Sequence, residues 1–324
     1  MGPSEMLIEQ GCGGGQYEVA VVRVSPTGGI TVLTGSHTHG QGHETAFAQL
    51  VADETGLDPA DIEIVHGDTA KVPYGVGTYG SRSLAVGGSA LVGSTRKVVA
   101  KMKRIAAHML DCDPDDVELQ DGVFRAPPSN RTLTFAEVAG RAYAPAGYPD
   151  DLEPGLEETT YYDPEAFTFP YGCHLVEVEV DADSGDVSVE RYLAVDDFGR
   201  LVNPMIVEGQ IHGGAAQAIG QACLEGCRYD PASGQLLTGS FMDYAMPRAT
   251  DVPGIEFHAF ETVCTTNPVG AKGCGEAAAI AGPAATINAI CDALREFGVR
   301  HVDMPATPET IWRAIQSAGR ANRA

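Results

Sequence analysis

Four places in this 324-residue chain set a reactive side chain among glycines that let a ligand approach the backbone. The first is "HTHGQGHE", where Gly40 and Gly42 bracket Gln41 as an expected strand turns into an expected helix. Such a turn bares N–H groups at the positive end of a helix and suits a phosphate or a polar heterocycle. It is not a dinucleotide fingerprint, because the third glycine and the following acid are missing. His37 and His39 would share a strand face, while His43 lies beyond the turn, which is poor spacing for a metal. The second place is "GTYGSRS", with Gly80, Ser81, Arg82 and Ser83 ahead of a long helix. A serine there commonly serves as an N-cap. The same geometry lets hydroxyls and N–H groups hold a diphosphate, with Arg82 offering charge.

The third is Gln210 in "VEGQIHGG", either a satisfied core amide or a ligand-facing one. The fourth is Glu276 in "VGAKGCGEAAAIAGPA". Gly270, Gly273 and Gly275 leave few side chains around it, so something can come close to that backbone. A carboxylate so placed is expected to have a raised pKa and to serve as a general base. The alternative is a first-turn acid favoured only by the helix dipole. No GxSxG, P-loop or HExxH motif accompanies these sites.

Elements must position them. "YEVAVVRV" and "ITVLTG" alternate and are joined by "SPTGG", the pattern of a hairpin. "HETAFAQLVADETG" reads as a helix ended by Gly56, followed by a strand "IEIVHGD", a glycine-rich loop and a long helix from Ser83 to Leu110. "VELQDGVFRA" reads as another hairpin and "TFAEVAGRAY" as a short helix. Residues 144–168, rich in Pro, Gly and acids, read as a linker. Beyond them come the hairpin "CHLVEVEVDADSGDVSVERYLAVDD", a small-residue helix around Gln210, and strands "GQLLTG" and "IEFHAFET". A helix with Pro283 near its first position and a closing helix "TPETIWRAI" complete the chain. Hairpins mixed with helices in both halves give an α+β class, with subdomains expected over 1–150 and 151–324.

A hydrophobic content of 44% and a charged content of 20% suit a chain with a real core. A net charge of −23 argues against nucleic acid and anionic membranes, and leaves local dipoles to hold any anion. No apolar run approaches a membrane span, and "MGPSEMLIEQ" carries no secretory signal, so a cytoplasmic location is expected. The eight cysteines contain no CxxC pair and are expected to be buried free thiols.

Taken together and in order, these segments resemble the molybdenum-cofactor-binding subunit of the xanthine dehydrogenase/aldehyde oxidase family. They are most similar to the large subunits of the aerobic carbon monoxide dehydrogenase type. The stretches that carry the resemblance are "GQGHETAFAQLVADETGL", "IEIVHGDTAKVPYGVGTYGSRS", "VDDFGRLVNPMIVEGQIHGGAAQAIGQACLEG" and "NPVGAKGCGEAAAIAGPAATINAICDAL". The resemblance implies molybdopterin with molybdenum, in the cytosine dinucleotide form, and no protein ligand to the metal. Gly40, Gln41 and Gly42 would contact the pterin and its phosphates, and Gly80, Ser81, Arg82 and Ser83 would line the diphosphate path. Gln210 would bond the pterin, and Glu276 would be the general base that activates a hydroxyl. The implied activity is oxidation of an aldehyde, an N-heterocycle or a similar small molecule. Carbon monoxide oxidation and a non-catalytic cofactor-binding half are the alternatives. The family's subunit is more than twice this long. The chain is therefore expected to be either one member of a split pair, with another chain supplying the N-terminal half, or a truncated product. The resemblance implies an iron–sulfur subunit and a flavin (FAD) subunit as partners.

Overall fold

The computed structural model describes residues 17–127, 130–144, 148–149 and 151–321, so the opening segment "MGPSEMLIEQGCGGGQ" lies outside the described residues. In the first of two units, the valine-rich alternation builds β1 (Glu18–Val24) and β2 (Ile30–Thr34) as an antiparallel hairpin, with Val22 facing Val32. Its turn is tied by Ser25, whose hydroxyl accepts from the Gly29 N–H at 3.1 Å. The chain then enters α1 (His43–Thr55), stopped by Gly56 at φ 71°, and β3 (Ile62–Val65), which pairs parallel to β2. The long helix expected from Ser83 opens instead as a π-helical turn (Ser83–Gly88), which leads into α2 (Ser89–Leu110). The short strands β4 (Glu118–Gln120), β5 (Val123–Arg125) and β6 (Thr132–Thr134) form a separate antiparallel sheet. α3 (Phe135–Arg141) opens with a capping box between Thr134 and Glu137.

The stretch expected to be a linker instead contributes β7 (Glu157–Tyr162), antiparallel to β1, completing a sheet of order β3-β2-β1-β7. The compact units accordingly divide the chain differently from 1–150 and 151–324. The first runs through Phe169 and takes back Gly199–Asn203 and Thr262–Gly273. Its core joins Val22 and Val32 of the sheet to Phe47 and Leu50 of α1 and to Met102 and Ile105 of α2.

The second unit holds β8 (Tyr171–Val180) and β9 (Val187–Asp197) as the expected hairpin, with β10 (Ile255–Phe260) parallel to β9. Its helices are α4 (Pro204–Ile219), α5 (Ala277–Ala293) and α6 (Pro308–Ala321). Two expectations need correcting. The strand expected in "GQLLTG" is a single bridge between Tyr229 and Leu236, closed around the tight turn Asp230–Gly234. The helix expected to start near Pro283 starts at Ala277, and Pro283 lies inside it, because the alanine run ahead of it sustains helix. The segment Ala277–Phe297 is also long and apolar enough to cross a membrane, contrary to the expectation of no such run. It packs on α4 and β8. Hairpins, mixed sheets and packed helices make the fold α+β, as the sequence predicts.

Candidate functional site

In the first unit, Gly40 (φ 96°) and Gly42 (φ 81°) both take the left-handed backbone that excludes most side chains. Gly42 is the N-cap of α1, and no side chain caps that end. Its first-turn N–H groups are thus left to water or to a ligand. A Cβ at Gly40 would meet nothing within 4 Å, so the space beside it is open. Gln41 folds its carbonyl oxygen onto its own turn, accepting from the His39 N–H and, at 3.2 Å, from the Thr38 hydroxyl. His43 turns inward instead of joining its neighbours. It is buried, stacks on Phe47 and sits with Nδ1 3.4 Å from the Ser36 carbonyl. Burial lowers its pKa from the usual histidine range. His37 keeps company with His39 and with His66, and His66 pairs with Glu44 at 2.9 Å. Among the described residues no group of three metal-ligating side chains occurs.

The "GTYGSRS" turn carries Gly77, Gly80 and, unusually for a residue with a side chain, Ser81 at positive φ (83°, 58° and 56°). Against it lies Gly273, where an ideal Cβ would fall 2.2 Å from the Ser81 carbonyl oxygen. That glycine is therefore required by the Ser81 turn, a different reason from baring Glu276. Arg82 is buried rather than offered to a ligand. Its Nη1 lies 3.1 Å from Oε2 of Glu18, and its Nη2 donates to the Tyr17 carbonyl at 3.1 Å. Ser83 is no cap: it starts the π turn and its hydroxyl bonds that of Thr78 at 3.0 Å. Sequence reasoning missed Glu18 and Thr78. Glu18 had a signal, an acid at the head of a strand whose other residues, Arg23 apart, are buried and apolar.

In the second unit, α4 and α5 pack through small residues. A Cβ at Gly214 would come within 2.9 Å of the Ala278 methyl, and one at Gly282 within 2.5 Å of the Ala218 methyl. Both contacts advance by one turn in the same direction, so the helices run parallel. Gln210, one turn before Gly214, and Glu276, two residues before Ala278, are thereby brought to the same end of the pair. Half-buried Gln210 makes no side-chain hydrogen bond among the described residues, which tells against a satisfied core amide. Glu276 occupies the N-cap of α5 (φ −114°, ψ −2°), yet its side chain makes no capping hydrogen bond. The sheet beside α5 carries a polar chain that the sequence did not reveal, Tyr192–His174–Asp196. The seven described cysteines are free thiols, as expected, but only Cys223 is buried.

The sequence pattern of the molybdopterin cofactor-binding domain matches residues 3–253. The chain is 39% identical to the carbon monoxide dehydrogenase large chain of Hydrogenophaga pseudoflava, over 97% of this chain and 39% of that one. It is 40% identical to the gamma subunit of the 6-hydroxypseudooxynicotine dehydrogenase complex of Paenarthrobacter nicotinovorans, over 95% of this chain and 39% of the relative. The fold superposes on quinoline 2-oxidoreductase from Pseudomonas putida 86 with a TM-score of 0.89 at 40% identity, covering 96% of this chain and 40% of that structure. The chain thus spans about two fifths of the length of these relatives.

Proposed function

The chain belongs to the molybdopterin cofactor-binding domain family, and from that premise we propose that it is the part of a molybdenum hydroxylase or dehydrogenase that carries the general base, Glu276. The observation that carries this reading is the parallel α4–α5 pair, which brings Gln210 of α4 and Glu276, the N-cap of α5, to the same side of its close contacts. The residues present also fit a pterin with a diphosphate tail. The first unit offers left-handed glycines, an uncapped helix end and open space beside Gly40, and the donors are backbone N–H groups, which hold an anion without a basic patch.

In this reading Gly40, Gln41 and Gly42 hold the pterin side. Gly80, Ser81 and Ser83 line the path of the diphosphate, in the cytosine dinucleotide form. Arg82, paired with Glu18, acts chiefly by holding that turn in shape. Gln210 directs its amide to the pterin. When bound, the molybdenum cofactor supplies two-electron redox chemistry, with iron–sulfur and flavin groups of partner subunits taking the electrons onward. Glu276 takes up, on a carboxylate oxygen, the proton released as an oxygen nucleophile attacks the substrate carbon. The substrate is an aldehyde, an N-heterocycle or a similar small molecule. Partner subunits complete the assembly, in the cytoplasm, where thiols stay reduced.

Glu276→Gln tests the reading. Its turnover in the assembled enzyme should fall by about 10²–10⁴-fold with molybdenum content unchanged. A Gln variant that retains turnover overturns the assignment. Carbon monoxide oxidation is the second reading, favoured by the 39% identity to the large chain of such an enzyme. Parallel assays with carbon monoxide, an aldehyde and an N-heterocycle separate the two. Purification of the chain without molybdenum, iron or flavin would favour a cofactor-binding role without catalysis.

A further inference from the structure

The proposed role of Glu276 leaves unused a buried polar chain on β8 and β9. The side chains of His174 and Asp196 are 1% and 4% exposed, and Tyr192 is fully buried. His174 faces Ala194 in the β8–β9 register, so Tyr192 and Asp196 sit on its two diagonals of one sheet face. The Tyr192 hydroxyl lies 2.8 Å from Nδ1 of His174, and both Asp196 oxygens lie 3.2 Å from Nε2. A carboxylate only accepts, so Nε2 carries a proton. Burial, then the Asp196 charge, pushes the Tyr192 hydroxyl up to about 12, so it keeps a proton that it can donate toward Nδ1. With Tyr192 donating to Nδ1 and Nε2 donating to Asp196, the hydrogen bonds run from Tyr192 through His174 to Asp196.

Two glycines show how closely this chain is seated. An ideal Cβ at Gly172 would fall 1.8 Å from Oδ1 of Asp196, and one at Gly282 would fall 2.6 Å from the Tyr192 hydroxyl. Gly282 belongs to α5, which packs on β8. Glu276, the N-cap of the same helix, lies less than two turns ahead of Gly282.

We infer that Tyr192, His174 and Asp196 are positioning residues that fix the register of α5 through Gly282, and with it the Glu276 carboxylate at its N-cap. The inference rests on the reading of Glu276 as general base. A merely structural chain would tolerate no replacement, or any replacement of equal volume. A directional one accepts glutamine at position 174, whose oxygen can accept from Tyr192 and whose nitrogen can donate to Asp196.

The test compares His174→Leu with His174→Gln by two readouts. Amide hydrogen exchange on the full chain should quicken at least about tenfold over 276–282 in the Leu variant and stay near wild type in the Gln variant. In the enzyme assembled with its partner subunits, His174→Leu should lower kcat at least about tenfold with KM and molybdenum content kept, and His174→Gln should restore most of it. Val178→Ala, on the same strand, serves as a control for general destabilisation. Should the Leu variant fail to fold, Tyr192→Phe, which removes one donor and keeps the ring, takes its place. Unchanged exchange, or a Gln variant no better than Leu, overturns the inference. An active Glu276→Gln enzyme would sink the reading of Glu276 alone, and the exchange comparison would then decide the positioning role by itself.

Discussion

In the first unit the candidate ligand groups are backbone N–H groups and hydroxyls on left-handed turns. In the second they are two side chains on a pair of close-packed helices, Gln210 within α4 and Glu276 at the N-cap of α5. The supports differ accordingly. The Ser81 turn is backed by a buried ion pair, Arg82 with Glu18, and by a glycine that admits no Cβ. The Glu276 end is backed by small-residue packing and by a hydrogen-bonded chain of neutral and charged groups. A site made of backbone must be held by whatever fixes φ and ψ, whereas a site made of side chains must be held by whatever fixes helix register. The two regions should therefore break under different substitutions.

The largest effect on stability is expected at Glu18. Glu18→Ala removes the counter-charge from a guanidinium that is only 6% exposed, and losing one partner of a buried pair costs about 3–5 kcal/mol. Chemical denaturation should show the loss as a lower midpoint. Because the pair ties β1 to the Ser81 turn, the variant should also weaken retention of the cofactor's diphosphate end, with amide exchange around Glu276 unchanged. A variant as stable as wild type would show that the pair carries little of the turn.

Next come the two tight glycines. Gly273→Ala must move the Ser81 backbone, since the new methyl would sit 2.2 Å from a carbonyl oxygen that no rotamer can swing away. Gly282→Ala pushes on the Ala218 methyl at 2.5 Å and the Tyr192 hydroxyl at 2.6 Å. Each should cost about 1–3 kcal/mol, the usual range for overpacking, with Gly273→Ala at the upper end. The contrast lies in function. Gly273→Ala should reduce cofactor content, whereas Gly282→Ala should keep it and lower kcat. Identical behaviour in both assays would erase the distinction between backbone-held and register-held sites.

Much of this was legible in the sequence, for reasons that differ by residue. The β1–β2 hairpin was readable because alternation and turn chemistry are local, and Gly40 and Gly42 because positive φ has a compositional price that only glycine avoids. β7 was hidden because "EETTYY" is polar and its identity as a strand depends on β1, more than a hundred residues earlier. The start of α5 was misplaced because Pro283 is a strong local signal that packing overrode. Arg82 was read as a ligand-facing charge since its partner, Glu18, is 64 residues away in the chain. His174, Tyr192 and Asp196 meet only through strand register, which no spacing in a single strand displays.

The smallest effect concerns His43, at the head of α1, where the first unit's turn meets its core. Its pKa is lowered from 6.5, with burial the leading cause and the Ser36 carbonyl partly opposing it. The unfolded chain therefore binds the proton more readily than the folded one. Stability attributable to this group is present above the unfolded value and is lost as pH falls through it toward the folded value. Urea titrations at about pH 7.5 and about pH 5.5 should show a midpoint that declines toward acid, and His43→Gln should flatten that decline. Hydrogen bonding to His66 lowers the Glu44 pKa from 4.5, so the stability this carboxylate contributes is lost at still lower pH. No comparable slope is expected from the second unit's Tyr192 or Cys274, whose hydroxyl and thiol are pushed up to about 12 and about 11 and stay protonated throughout that range. A decline of equal size in the His43→Gln variant would place the acid sensitivity elsewhere and remove the one titratable difference drawn between the turn and the helix pair.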